Sequence, residues 1–219
     1  MSQCMEIIWL FNFIGSLVCH QRPDRTLWVG GHYLPVCARC TGAYLGFILS
    51  YALLPFLSRK NARGPPNLFI SLILTLPLWV DSIGQALGFW SSTNDARLIT
   101  GLFFGIALAP LLVYVLSLPP FKSKIPVLKR IQPEYAVLDD KDSWFNVKAQ
   151  FLSVIFSIIV FLMIRLMIGS SFFLFYWMLS IPIFLGIVLH FLVLPILLIG
   201  ILISQLFLVI RKKRMRMRS

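Results

Sequence analysis

Residues 19–42 read CHQRPDRTLWVGGHYLPVCARCTG. The stretch holds three cysteines, two histidines, three arginines and two prolines, and no other part of the chain concentrates so many ligand-type side chains. It is bounded by two apolar runs, MEIIWLFNFIGSLVCH at 5–20 and TGAYLGFILSYALLPFL at 41–57. At about 1.5 Å of rise per residue the first run barely crosses a bilayer, so its helix is expected to extend toward the Cys19 turn. Pro23 and the Gly30-Gly31 pair interrupt regular structure between the two runs. A polar, ligand-rich loop between two membrane spans is the arrangement that decides the fold.

Composition agrees. The chain is 58% hydrophobic and 13% charged, with a mean hydropathy of +0.86, too apolar for a domain that must present a wet surface all round. The net charge of +12 does not point to nucleic acid, because the basic residues are grouped after apolar runs. They stand at Arg59, Lys60 and Arg63, at Lys122, Lys124, Lys129 and Arg130, and in the tail RKKRMRMRS. This is the pattern of cytoplasmic flanks, and the tail is expected to meet anionic membrane lipids. Further spans are expected at about 67–87, 97–118 and 148–168. Residues 172–210 are read as one span near 187–209, preceded by an interfacial or re-entrant helix broken around Pro182; the alternative is two spans, seven in all.

The expected fold is therefore all-α: a polytopic integral membrane helical bundle of about six transmembrane helices in a single membrane domain, with a Cys/His-rich outer loop. Residues 1–118 carry the motifs, 119–147 form a cytoplasmic connector, 148–210 the C-terminal helices and 211–219 the basic tail. The first run lacks a basic n-region and a small-residue cleavage site, so it is read as a retained helix. Of 20 Lys and Arg residues, 15 fall on the side assigned to the cytoplasm. That places both termini inside a cell membrane and the Cys19–Gly42 loop on the extracytoplasmic side.

Three segments then meet at the outer boundary. The loop offers Cys19, His20, Gln21, Arg25, His32, Cys37, Arg39 and Cys40. The third span offers Asp81 and Gln85, four residues apart on one helical face. The next loop offers Asn94 and Asp95, expected to cap the fourth helix, and Arg97. Cys37-x-x-Cys40 lets two thiolates reach one ion, and Cys19 with His20 or His32 would complete four ligands. Such a set suits zinc first, with copper or iron as alternatives. The same sulfurs also suit redox-active thiols or a structural disulfide from Cys19. Asp81, Gln85 and Arg97 are the candidates for catalysis, Asp81 as proton carrier, with an ion pair from Asp81 to Arg97 or Arg39 as the structural alternative. Arg25, Arg39, Arg97 and Arg165 offer guanidinium forks to an anionic amphiphile. His190 has no cysteine or carboxylate beside it and reads as a buried core histidine.

The segments CHQRPDRT (19–26), LPVCARCTGAYLG (34–46), DSIGQ (81–85) and STNDARLITG (92–101) resemble those of the DUF2085 family of multi-pass membrane proteins. The resemblance covers roughly the first half of the chain. It implies that the Cys/His loop and the Asp81–Arg97 region belong together, and it supplies no reaction. This chain has Thr26 where the family tends to show Ser, and Ser91 where it tends to show Glu, so no second acid accompanies Asp81. Three functions fit these residues: a metal-dependent enzyme acting on a lipid or small amphiphile, a transporter, or a structural membrane protein with a stapled outer loop.

Overall fold

The computed structural model describes residues 2–58, 68–117 and 147–193, together with 195 and 199. The expected connector and basic tail lie outside these residues. Six α-helices are described: α1 (Ser2–Ser16), α2 (Ala38–Ser58), α3 (Leu68–Ala86), α4 (Asn94–Ser117), α5 (Val147–Met167) and α6 (Phe173–Val188). The second through fifth match the expected spans to within a turn. Among the described residues one helix, Phe173–Phe191, is long and apolar enough to cross a membrane by length and composition, with a mean hydropathy of 1.9.

The chain is mostly helical, but the outer loop is not irregular. After a 3-10 turn at Pro23–Arg25 it forms an antiparallel hairpin of β1 (Thr26–Val29) and β2 (His32–Cys37), turning at Gly30 and Gly31, both with positive φ. TLWV and HYLPVC supply the β-branched and aromatic residues strands favour, on either side of a two-residue Gly-Gly turn. Leu27, Val29, Leu34 and Val36 are buried beneath the hairpin. Trp28 and Tyr33 form a cross-strand pair on its outer face, rings 4.8 Å apart.

The helical core centres on α2 and α4, the most extensive helix pair. Gly42 and Gly46 on α2 meet Gly101 and Gly105 on α4 in a reciprocal double G-x-x-x-G contact. A Cβ at Gly46 would stand 2.4 Å from the Leu102 carbonyl oxygen, and one at Gly101 would stand 2.2 Å from that of Arg39. Backbones this close leave no room for a side chain at the crossing unless the two helices move apart. α3 and α5 pack on α4, and α6 packs on α2.

The expected break at Pro182 does not occur. α6 runs from Phe173 through Pro182 to Val188 and continues as a π-helical turn over Leu189–Val193. Proline withholds one N–H and crowds one carbonyl, a local cost that a packed apolar helix absorbs. Here Tyr176, Leu179, Ile183 and Ile187 form a buried stripe across the proline. The expected span at 187–209 thus begins inside a helix that starts at Phe173, and its portion beyond 193 lies almost wholly outside the described residues.

The C-terminal half reaches back to the hairpin. Gly30 N–H donates to the Ser170 carbonyl (2.7 Å), Gly169 N–H donates to the Trp28 carbonyl (2.9 Å), and Val29 bridges Ile168. These bonds tie the hairpin to the segment between α5 and α6.

Candidate metal centre

Cys19 follows the last turn of α1. Its N–H donates to the Gly15 carbonyl (2.9 Å), which closes the helix. The chain then reverses at Gln21, a non-glycine residue at φ 48°. Gln21 is held there by its side chain, whose amide donates to the carbonyls of Asn12 (2.6 Å) and Pro35 (2.7 Å). Gly15 lies so close to the Pro35 carbonyl that a Cβ would come within 1.9 Å of its oxygen. These contacts press the end of α1 against β2, where Cys37 ends the strand and Cys40 sits in the first turn of α2.

The three sulfurs of Cys19, Cys37 and Cys40 lie within 4.8 Å of one another and are free thiols, each partly buried. An ion with four tetrahedral ligands and Zn–S bonds near 2.3 Å requires sulfurs about 3.8 Å apart. The residues therefore fit a metal after a small inward movement. The backbone N–H of Cys37 donates to the Cys19 sulfur at 3.2 Å.

The protons of the cluster are unevenly held. Hydrogen bonds from the Cys37 and Cys40 thiols bring Cys19 down to about 2, against the opposing effect of burial. Cys37 and Cys40 are pushed up, first because their protons are held by the Cys19 sulfur. The hydrogen bonds thus favour negative charge on Cys19 and protons on Cys37 and Cys40. A bound cation would compensate the second and third charges.

His20 and His32 part company. His20 lines the same cavity as the three sulfurs. The His32 ring instead packs edge-on against Phe173 and Tyr176, each at 5.6 Å. Among the described residues the compact ligand group consists of the three cysteines alone.

The cavity has a volume of about 360 Å³. Besides the sulfurs and His20 it is lined by Gln21 and four arginines, Arg22, Arg25, Arg39 and Arg97. Arg97 is 7% exposed, and its Nη1 donates to Asn94 Oδ1 at 2.9 Å. Arg39 pairs with Asp81, its Nη2 donating to Oδ2. Of the two ion pairs the sequence offered to Asp81, the structure forms the one to Arg39. Asp81 is not in the cavity wall and reaches it only through that pair. Gln85, one turn further along α3, is half-buried and also outside the wall.

Asp81 faces another space, a groove of about 520 Å³ along α3 that is otherwise apolar, lined by Ile73, Leu76, Pro77, Val80 and Trp90. Trp90 folds over Gly84, where a Cβ would stand 2.1 Å from the indole ring. Arg165 lies apart from the other arginines and pairs with Asp95 at 3.2 Å. The cap of α4 also differs from expectation. Thr93 Oγ1 accepts the Ala96 N–H (3.2 Å), which frees Asn94 and Asp95 for Arg97 and Arg165. His190 packs between Tyr44 and Phe47, as a core histidine.

Sequence reasoning missed three contributions. Gln21 and Gly15 position Cys19, and their signal was a polar amide and a glycine flanking the end of an apolar run. Arg22 joins the cavity, although its spacing resembles that of any surface arginine. Residues 168–170 hold the hairpin through backbone groups, which leave no side-chain signature.

No solved structure matches this chain. An uncharacterized protein of Methanocaldococcus jannaschii is 38% identical over 90 residues, 41% of this chain and 58% of that protein. A second, from Methanothermobacter thermautotrophicus and likewise uncharacterized, is 42% identical over 94 residues, 43% of this chain and 83% of that protein. The family of predicted membrane proteins DUF2085 matches residues 19–111, from the first ligand-type cysteine to the middle of α4. This chain belongs to the DUF2085 family of predicted membrane proteins.

Proposed function

We propose that the protein is a multi-pass cell-membrane protein whose outer boundary carries a metal centre of Cys19, Cys37 and Cys40, acting on an amphiphile that enters from the bilayer. The observation that carries this reading is the approach of the three sulfurs to within 4.8 Å of one another in the wall of a cavity. Three protein ligands leave a fourth tetrahedral position, and in catalytic zinc sites that position belongs to water or substrate. With zinc bound, the chemistry supplied is Lewis-acid polarisation of an oxygen held there. The chain's own residues bind and orient: Gln21 fixes Cys19, Arg97 and Arg39 face the cavity, and Asp81 holds Arg39 in place.

The outward faces of the helices support placement in a bilayer, and six spans with both termini inside is the arrangement proposed. Trp9 on α1, Leu72 on α3, Leu162 on α5 and Leu185 on α6 are 49–66% exposed, which suits hydrocarbon and not water. The apolar groove at Asp81 offers an amphiphile a lateral approach.

A second reading, a closed structural staple, follows from His20, which lines the same cavity and would occupy the fourth position. Metal analysis of the full-length protein purified without chelator tests the shared claim, and about one ion per chain is expected, lost in Cys37→Ser. Protein that stays metal-free after exposure to zinc, copper(I) and iron(II), with two cysteines joined in the intact mass, overturns it. Cobalt substitution separates the two readings. An unchanged visible spectrum in His20→Ala supports the open site, and a changed one supports the staple.

A further inference from the structure

We infer that the cavity wall beside the sulfurs is a binding site for a phosphate-type oxyanion, formed by Arg25, Arg39 and Arg97. The inference rests on the proposed function only for its place beside a metal, since the arginines do not depend on the ion. Three observations converge. First, the Nε atoms of Arg25, Arg39 and Arg97 are all buried and make no hydrogen bond among the described residues, that of Arg25 having only the Asp24 carboxylate nearby at 3.5 Å. A buried N–H left without an acceptor costs about 1–3 kcal/mol, so three in one cavity mark a place where acceptors arrive from outside. Second, Arg97 is more than nine-tenths buried, with Asn94 taking only Nη1. It stands on α4 at the inner wall, held where a ligand can reach it.

Third, charge does not balance. Four guanidiniums line the cavity. Two carboxylates answer them: Asp24, paired to Arg22 at 3.1 Å and lying 3.5 Å from Arg25, and Asp81, paired to Arg39. The arginines outnumber the carboxylates paired with them, and Arg97 has no carboxylate of its own among the described residues. Guanidinium groups arranged around one space, each offering N–H donors in a plane, match the several acceptor oxygens of a phosphate group. A carboxylate would satisfy fewer donors. The cavity, about 360 Å³, takes a headgroup and not a whole lipid. A lipid phosphate would place its chains outside the cavity, toward the groove that shares the Arg39–Asp81 pair.

The site is tested on full-length protein in detergent and in nanodiscs. Inorganic phosphate is titrated by calorimetry against chloride at equal ionic strength, and phosphatidate binding is compared with phosphatidylcholine by native mass spectrometry. Saturable phosphate binding, or selective retention of phosphatidate over phosphatidylcholine, supports the site; the first result shows that the free ion suffices and the second assigns the source to lipid. Arg97→Gln and Arg25→Gln are each expected to weaken binding at least about tenfold. Arg97→Lys, which keeps the charge but loses the planar fork, should weaken it less, while its metal content reports that the fold is intact. Cys37→Ser should leave phosphate binding in place, so failure of the metal centre and failure of this site are distinguishable. No binding of either probe, binding matched by chloride, or equal affinity in Arg97→Gln and the parent protein overturns the inference.

Discussion

The Cys37 backbone N–H points at the Cys19 sulfur across 3.2 Å and ties the end of α1 to the end of β2. This bond fixes two candidate ligands that stand eighteen residues apart in sequence. A backbone donor survives any substitution except proline, so Cys37→Ser removes a sulfur without releasing the chain. Metal affinity is expected to fall at least about tenfold, since losing a ligand costs no less than losing a partner that orients one. The folded state should persist, as checked by thermal unfolding beside metal analysis.

Binding of a divalent ion should release protons. Hydrogen bonds from the Cys37 and Cys40 thiols hold Cys19 well below the ordinary thiol range, whereas Cys37 and Cys40 are held above it by their bonds to its sulfur. About two protons should leave per ion bound at pH 7, and affinity should fall as pH falls. Calorimetry in buffers of different ionisation enthalpy counts them; zero released protons would contradict this arrangement.

Gln21→Ala removes two hydrogen bonds and leaves the carbonyls of Asn12 and Pro35 without their donor. It also leaves a residue with a Cβ at φ 48°. A loss of about 2 kcal/mol in stability is expected. Weaker metal binding should accompany it, because Cys19 lies two residues away. Gln21→Gly should recover part of the loss by relieving the backbone, and thermal unfolding of the pair measures the split.

Arg39 and Asp81 join α2 to α3 with side chains 22% and 10% exposed. Removing either partner strands a largely buried charge and should cost about 3 kcal/mol. A double-mutant cycle with Arg39→Met and Asp81→Leu should show strong coupling, the double variant being more stable than the two single losses added together. Additive losses would show that the two groups act independently.

The crossing of α2 and α4 is the least forgiving packing in the chain. Gly101→Leu places a side chain where even a Cβ would meet the Arg39 carbonyl at 2.2 Å, and folded protein is expected to be lost on gel filtration. Gly101→Ala should fold with a lowered melting temperature.

Much of this was legible in the residues. Apolar runs broken by polar or basic segments set α2 through α5 to within a turn, because a long run of apolar side chains has to be buried as one helix. The Cys19, Cys37 and Cys40 grouping followed from ligand type and spacing. The fate of His32 did not, since in a two-residue hairpin turn a histidine beside glycine faces whichever side the strand register dictates, and register depends on Leu34 and Val36 finding the core. The continuity of α6 through Pro182 was equally hidden, for it rests on tertiary packing of Tyr176 and Ile183. The Gly42/Gly46 and Gly101/Gly105 pairs were present as two G-x-x-x-G motifs, and only their mutual contact required three dimensions.

The stitching of Gly30 to Ser170 and of Gly169 to Trp28 uses main-chain atoms alone. Such a seam makes little demand on side-chain identity beyond the left-handed turns at Gly30 and Gly169. The segment following α5 thus works as a latch without a code. It braces the hairpin that ends in Cys37 through backbone atoms, so the second half of the chain holds in place a cluster whose side chains all come from the first.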